Sequence, residues 1–328
     1  MPTSFSVDPL RRRLLRTIGF GSLLPYIGSC GPTEPLTIAS HVWPGYELMF
    51  LAKSEGWLPK EQIRLFETTS ATQSIAALHQ GTAQAAALTM DEVLRVRAEG
   101  IPLTAVLVFD ISAGADVVVA GPGVRHLGDL KGKVIGVETS ALGALILSKL
   151  LDKTGLTSQD ITVFPVSPEG QMEAWRSGQL DVLITYEPLA SRLLSLGGKR
   201  LLDSRQFPDT IFDVLAVKSK LVHAHAGSLR TLIAGHLRGI QQLRLNPQDA
   251  AYRISRRLAL TGDEALQAFH GLQLPGLSQN KRLLANNGRL LEVAGELSAI
   301  MLKAGLLSQA DRLENLTNDL YLPEQETN

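Results

Sequence analysis

A single cysteine, Cys30, occurs in the 328 residues, so no intramolecular disulfide can form and no cysteine-built structural zinc site is available. Neither sign of charge is in excess: 32 Lys and Arg face 32 Asp and Glu, a formal charge of +0. Without a concentrated basic surface, binding to a phosphate backbone lacks its main electrostatic drive, and no nucleic-acid partner is expected. Aromatic residues are scarce at 5%, so each Trp or Tyr in a turn carries weight. Catalytic signatures are missing too, since neither Gly-Xaa-Ser-Xaa-Gly nor His-Glu-Xaa-Xaa-His occurs. The pairs Gly19 with Gly21 and Gly121 with Gly123 do not continue into a phosphate-binding loop, and His223-Ala224-His225 has no nearby acid to complete a metal site. The expectation is a non-enzyme without metal or cofactor. What is present is 45% hydrophobic and 20% charged residues, enough for packed cores in about two domains and incompatible with disorder as the main state.

The first thirty residues read as an address. Arg11, Arg12, Arg13 and Arg16 precede an uncharged apolar stretch, residues 17–29, that is too short to span a bilayer. The arginine run is loosely similar to a twin-arginine export signal. Ile27-Gly28-Ser29-Cys30 resembles a lipobox, in which the cysteine is lipidated and becomes the new N-terminus. Several acyl chains would anchor the protein to a membrane without spanning it. Loss of residues 1–29 removes four Arg and Asp8, leaving 28 basic against 31 acidic residues, a net charge of −3. No later apolar run approaches the length of a membrane span.

From residue 36 onward, short β-like runs alternate with helical patterns, the signature of parallel sheets with crossover helices. Strands are expected over 36–40, 63–67, 85–88 and 103–109, and in a second block over 116–120, 134–137, 161–165, 180–184 and 200–202. Residues 211–217 read as one more strand, and from 229 to 313 the pattern is helical almost without a break. A helical tail with no strands of its own must bury its apolar stripes against the first block. The chain would then cross between two lobes near 111–116 and near 208–213, forming a hinge. The expected division is a signal at 1–29, a linker at 30–35, lobe 1 at 36–112 and 213–320, lobe 2 at 113–212, and a tail at 321–328.

Ligands of open parallel sheets sit outside the carboxyl ends of the strands. Those positions carry His41, Trp43 and Tyr46; Ser70, Thr72 and Gln73; Thr89; Thr139 and Ser140; and Tyr186 with Glu187. Ser and Thr at helix starts are ordinary caps contributing about 0.5–2 kcal/mol. Aromatics in a strand-to-helix turn satisfy no backbone group, so Trp43 and Tyr46 beside Pro44 and Gly45 read as a flat wall. Trp57 and Trp175 read as packing residues. No Arg lies in these loops, whereas acids recur. Glu47, Asp91 and Glu92 read as solvated helix starts. The hinge residues Asp110, Asp116 and Asp213, with Glu187, point instead to a ligand bearing an amine, or to a zwitterion.

Trp43-Pro44-Gly45-Tyr46, Phe50-Leu51-Ala52, Glu55-Gly56-Trp57-Leu58, the segment 129–137 and Tyr186-Glu187-Pro188 are similar to periplasmic substrate-binding proteins of ABC transporters. The branch they resemble is the NMT1/THI5-like one serving nitrate, sulfonates, taurine and thiamine-related pyrimidines. The resemblance implies an α/β, two-lobed Venus-flytrap fold of the type II periplasmic-binding class, with two hinge crossings and a helical tail on lobe 1. It implies capture of a small molecule and delivery to an ABC permease from the periplasm, as a monomeric receptor. Trp43 would then be a stacking wall, Tyr186 a facing wall and Glu187 the acceptor for an amine. Two rival functions remain in view: a sensing input for a membrane receptor, and a biosynthetic enzyme of related fold.

Overall fold

The computed structural model describes residues 34–325, and the expected signal and Cys30 lie outside the described residues. The chain first builds β1 (Leu36–Ser40), α1 (Glu47–Ser54), β2 (Ile63–Glu67), α2 (Ala71–Gln80), β3 (Ala85–Thr89), α3 (Met90–Ala98) and β4 (Leu103–Ser112). All five residues of β1 and β3 and all ten of β4 are buried, as continuous apolar runs covered by helices on both faces should be. Next come β5 (Asp116–Ala120), β6 (Val134–Val137), α4 (Ala141–Thr154), β7 (Thr162–Pro165), α5 (Pro168–Arg176), β8 (Val182–Tyr186), α6 (Leu189–Ser195) and β9 (Lys199–Asp203). The chain then returns as β10 (Phe212–Lys218) and continues through α7 (Ala226–Leu245), α8 (Pro247–Leu258), α9 (Gly262–Ala268), β11 (Leu272–Gln273), α10 (Leu277–Leu284) and α11 (Arg289–Lys303).

The strands form two sheets, ordered β11-β4-β10-β3-β1-β2 and β7-β6-β8-β5-β9. The expected parallel pairing holds for β1 with β2 and β3 and for β6 with β7 and β8, and antiparallel strands interrupt it in both sheets. β10 runs antiparallel between β3 and β4, and β5 runs antiparallel between β8 and β9. The reason lies in the crossings: each enters its sheet from the hinge end, so its first strand must point away from that end. The crossings themselves are tied together, with the Ser112 and Ser204 hydroxyls 2.8 Å apart and Gly114 N donating to Ser204 Oγ at 2.6 Å.

The C-terminal helices share one apolar core with the first sheet, where Leu229, Leu232, Ile254, Val293 and Leu297 join Leu36, Leu48, Leu88 and Val106. The helical run expected from 229 to 313 is interrupted by β11 and ends at Lys303. Gly271 and Pro275 flank the interruption, and Gly305, in the left-handed region at φ 72°, closes the last helix. In the second sheet Val118 and Ala120 face one apolar cluster while Val117 and Val119 face another, the period-two alternation of a strand covered on both sides. Trp57 and Trp175 pack against these cores, as their positions in the sequence suggest. Among the described residues no helix is long and apolar enough to cross a membrane.

Candidate functional site

Strand register gathers the acids. In the first sheet Asp213 pairs with Thr89 on one side and Asp110 on the other; in the second, Asp116 pairs with Tyr186. The strand expected at 180–184 ends two residues later, at Tyr186, which is what sets that ring opposite Asp116. All these rungs lie at the hinge end of their sheets, where the turn after β1 also arrives.

Trp43 Nε1 donates to Asp110 Oδ2 at 3.0 Å, and the Tyr46 hydroxyl donates to Asp213 Oδ1. The Asp110 and Asp213 carboxyls hydrogen-bond each other, and Asp110 Oδ1 and Asp213 Oδ2 have no partner outside that pair. Burial, and then the charge of Asp110, push the Asp213 carboxyl well above the usual range, and burial does the same to Asp110. Asp116 is 1% exposed and neither of its carboxylate oxygens has a partner. Burial, with Asp91 and Glu187 nearby, raises it to about 7. Glu138 accepts weakly from the Tyr186 hydroxyl at 3.4 Å, keeps Oε1 unpartnered, and is raised by burial to about 7.

Three acids depart from expectation. Glu47, Asp91 and Glu92 are not solvated helix starts; they are 0%, 0% and 2% exposed. Glu92 accepts from Thr89 N at 3.0 Å, and burial, then Asp91 and Glu138 nearby, raises it to about 8. Asp91 has both oxygens unpartnered, and burial raises it. Glu47 pairs with Arg257, whose guanidinium lies 3.5 Å over the Phe50 ring, yet burial still lifts it to about 8. Burial and the Arg257 charge hold His41 down at about 4, so its imidazole is neutral.

The convergence encloses a chamber of about 20 Å³, room for about one water molecule. The first lobe supplies His41, Trp43, Ala71, Thr89, Glu92 and Asp213; the second supplies Asp116, Glu138, Leu142 and Tyr186. Trp43 meets Tyr186 edge-on across the lobes, with ring centroids 5.8 Å apart at 76°. No Lys or Arg lines this chamber. Isolated buried carboxylates are expensive, so each must hold a proton or meet a cation. Among the described residues no three His, Cys, Asp or Glu side chains are placed to hold a metal ion.

Glu138 also lies in the wall of a second, larger cavity of about 430 Å³. Thr139 and Ser140 line that cavity, not the chamber, and Ser140 Oγ caps α4 by accepting from Gly143 N at 3.0 Å. Of the residues expected at the site, six line the chamber: His41, Trp43, Thr89, Asp116, Tyr186 and Asp213. Tyr46 and Asp110 support its wall from behind. Ser70 is occupied capping α2, while Thr72 and Gln73 are exposed. Glu187 accepts from Ser191 N at 3.1 Å and from Ser191 Oγ at 3.0 Å at the start of α6, and does not line the chamber. Ala71, Glu92, Glu138 and Leu142 lie outside the residues expected at the site, although Glu92 is among the acids that recur in these loops.

The family described as NMT1/THI5 like matches residues 43–250. The alkanesulfonate-binding protein SsuA from Xanthomonas axonopodis pv. citri, solved bound to MOPS, is similar in structure with a TM-score of 0.72 and 17% identity, covering 89% of this chain and 99% of that one. The desulfurization enzyme DSZB has a TM-score of 0.63 at 16% identity, covering 87% of this chain and 97% of its own. These likenesses show the periplasmic-binding-protein fold. A candidate binding protein of Brucella abortus (strain 2308) is 29% identical over 124 residues, 37% of this chain, and the match spans 39% of that relative's length.

Proposed function

The chain belongs to the NMT1/THI5-like family, and from that premise we propose that it is an extracytoplasmic receptor for a small amine-bearing solute, which it closes upon between its lobes and delivers to an ABC permease. One observation carries the choice of an amine: Asp116, buried and with both carboxylate oxygens unpartnered, faces a chamber with no Lys or Arg in its wall. A simple anion such as an unsubstituted sulfonate would require these acids to stay protonated and would meet no cation in the wall. A cation supplies the charge that burial denies them.

The receptor works through differential affinity. Chamber groups come from both lobes, so a solute touching Asp213 and Asp116 together stabilises the closed arrangement over the open one. A micromolar complex requires about 8 kcal/mol, more than helix dipoles at about 0.3–1 kcal/mol each supply. Charge-assisted hydrogen bonds to several buried carboxylates are one further source. Binding proteins among the similar structures support capture over bond-breaking chemistry, although the fold is shared with an enzyme.

Residues 1–29 are read as an export signal and Cys30 as the site of a lipid anchor, with Cys30→Ser expected to move the protein from the membrane to the soluble fraction. The ligand reading is tested by thermal-shift measurement with amines beside the matching alcohols and sulfonates. Stabilisation by amines at a hundredfold excess over Kd is about 2.7 kcal/mol. Equal stabilisation by an amine-free sulfonate would contradict it.

A further inference from the structure

A chamber of about 20 Å³ takes one water-sized group, and any organic amine is larger than that. The body of the solute must therefore lie elsewhere, and the two cavities share Glu138 in their walls. The larger one, at about 430 Å³, falls in the range of small-molecule sites. Its lining is mostly apolar, with Val137, Leu147, Val163 and Pro165 from the second lobe and Leu306 from the segment after α11, beside one cation, Arg95, which is paired with Glu99. Val163 is 39% exposed, an apolar side chain left open on that wall.

Resting on the amine reading above, we propose that the ligand is a primary amine with an unbranched or flat apolar body, its ammonium in the chamber and its body in the larger cavity. The donor count fits. A primary ammonium has three N–H groups, and Asp116 Oδ1 and Oδ2 and Glu138 Oε1 are three buried acceptors without partners around the chamber. A quaternary ammonium has no donor and does not fit so small a space. Glu138 sits at the junction, so its unpartnered oxygen meets the ammonium while the body passes alongside. Leu306 draws the first lobe's C-terminal segment into the same contact, and a longer body thereby touches both lobes and favours closure.

The test is a calorimetric series on the full chain with methylamine, butylamine and hexylamine, joined by hexyltrimethylammonium and a six-carbon aminosulfonate. The expected result is a Kd falling by about fourfold per added methylene, the value of burying one such group, with hexyltrimethylammonium binding at least a hundredfold more weakly than hexylamine. In Leu147→Trp and, independently, Val163→Asp, the ratio of the methylamine Kd to the hexylamine Kd should collapse toward one. Detectable methylamine binding with no gain along the series overturns the second cavity's role and leaves the amine reading standing. Tighter binding of the aminosulfonate than of hexylamine overturns the apolar body. Failure of every amine to bind removes both readings together.

Discussion

Trp43 donates its indole N–H to Asp110 across 67 residues of sequence, at 3.0 Å, and the contact exists because Gly45 leaves room for it. A Cβ on Gly45 would overlap the Asp110 carboxyl and lie 3.1 Å from the indole nitrogen. The turn after β1 is thereby pressed against the hinge end of β4.

Gly45→Ala should displace the Asp110 carboxyl and release Trp43. Overpacking of this kind costs about 1–3 kcal/mol. Urea unfolding reads the loss, and a weakened response of tryptophan fluorescence to amines reads the damage to the wall. A variant with unchanged midpoint and unchanged fluorescence would show that the contact positions nothing.

Removal of Arg257 should be more damaging than its surface position suggests. Its side chain is 15% exposed and meets Glu47, which is 0% exposed. Arg257→Ala leaves that carboxyl buried without its partner, a loss on the order of 3 kcal/mol. The unfolding midpoint checks the value, and Glu47→Gln in the same background should recover part of it. Absence of any such recovery would place the stabilisation in the contacts of Arg257 with Phe50, Glu67 and the Ser40 carbonyl instead.

The ligand-free protein should lose stability as pH rises. Asp116 and Glu138 have folded values of about 7 against ordinary values of 3.8 and 4.5. The unfolded chain therefore ionises first, and the contribution of these groups, fully present below about pH 4, disappears as pH climbs through 7. Asp116→Asn should flatten the fall, by at most about 4 kcal/mol at pH 8. The melting temperature from pH 4 to pH 8 measures it. A ligand-free protein equally stable across that range would mean that the acids are solvated or paired.

Glu187→Gln should alter amine affinity by less than about threefold, because its two oxygens are already engaged by Ser191. Asp116→Asn should cost at least a hundredfold, the loss of about 3 kcal/mol expected when a buried charge partner is removed. The Kd of one amine for both variants decides it, and the reverse order would return the acceptor role to Glu187.

The alternation of strand and helix, the two crossings and the turns bearing Trp43 and Tyr186 were legible because each is a local pattern. The register was not. Asp213 meets Asp110 and Thr89 only because β10 inserts antiparallel between β3 and β4, a pairing fixed by contacts more than a hundred residues apart in sequence. Glu92 shows the limit most sharply. An acid in the first turn of a helix after Thr89 has the pattern of a solvated start, and only the arrival of the second lobe turns that helix end into a buried wall. Thr72 and Gln73 fail in the opposite sense, since their polarity suits a site but the face of α2 they occupy is exposed. The chamber's apolar members, Ala71 and Leu142, carry no chemical signal in the sequence.

Proton release on binding tests the capture of a cation by these acids most directly. Calorimetry of a primary amine at pH 7, repeated in buffers of different ionisation enthalpy, should show protons leaving the protein as the ammonium replaces them on Asp116, Glu138 and their neighbours, with affinity rising from pH 6 to pH 8. Proton uptake, or an affinity indifferent to pH across that interval, would contradict it.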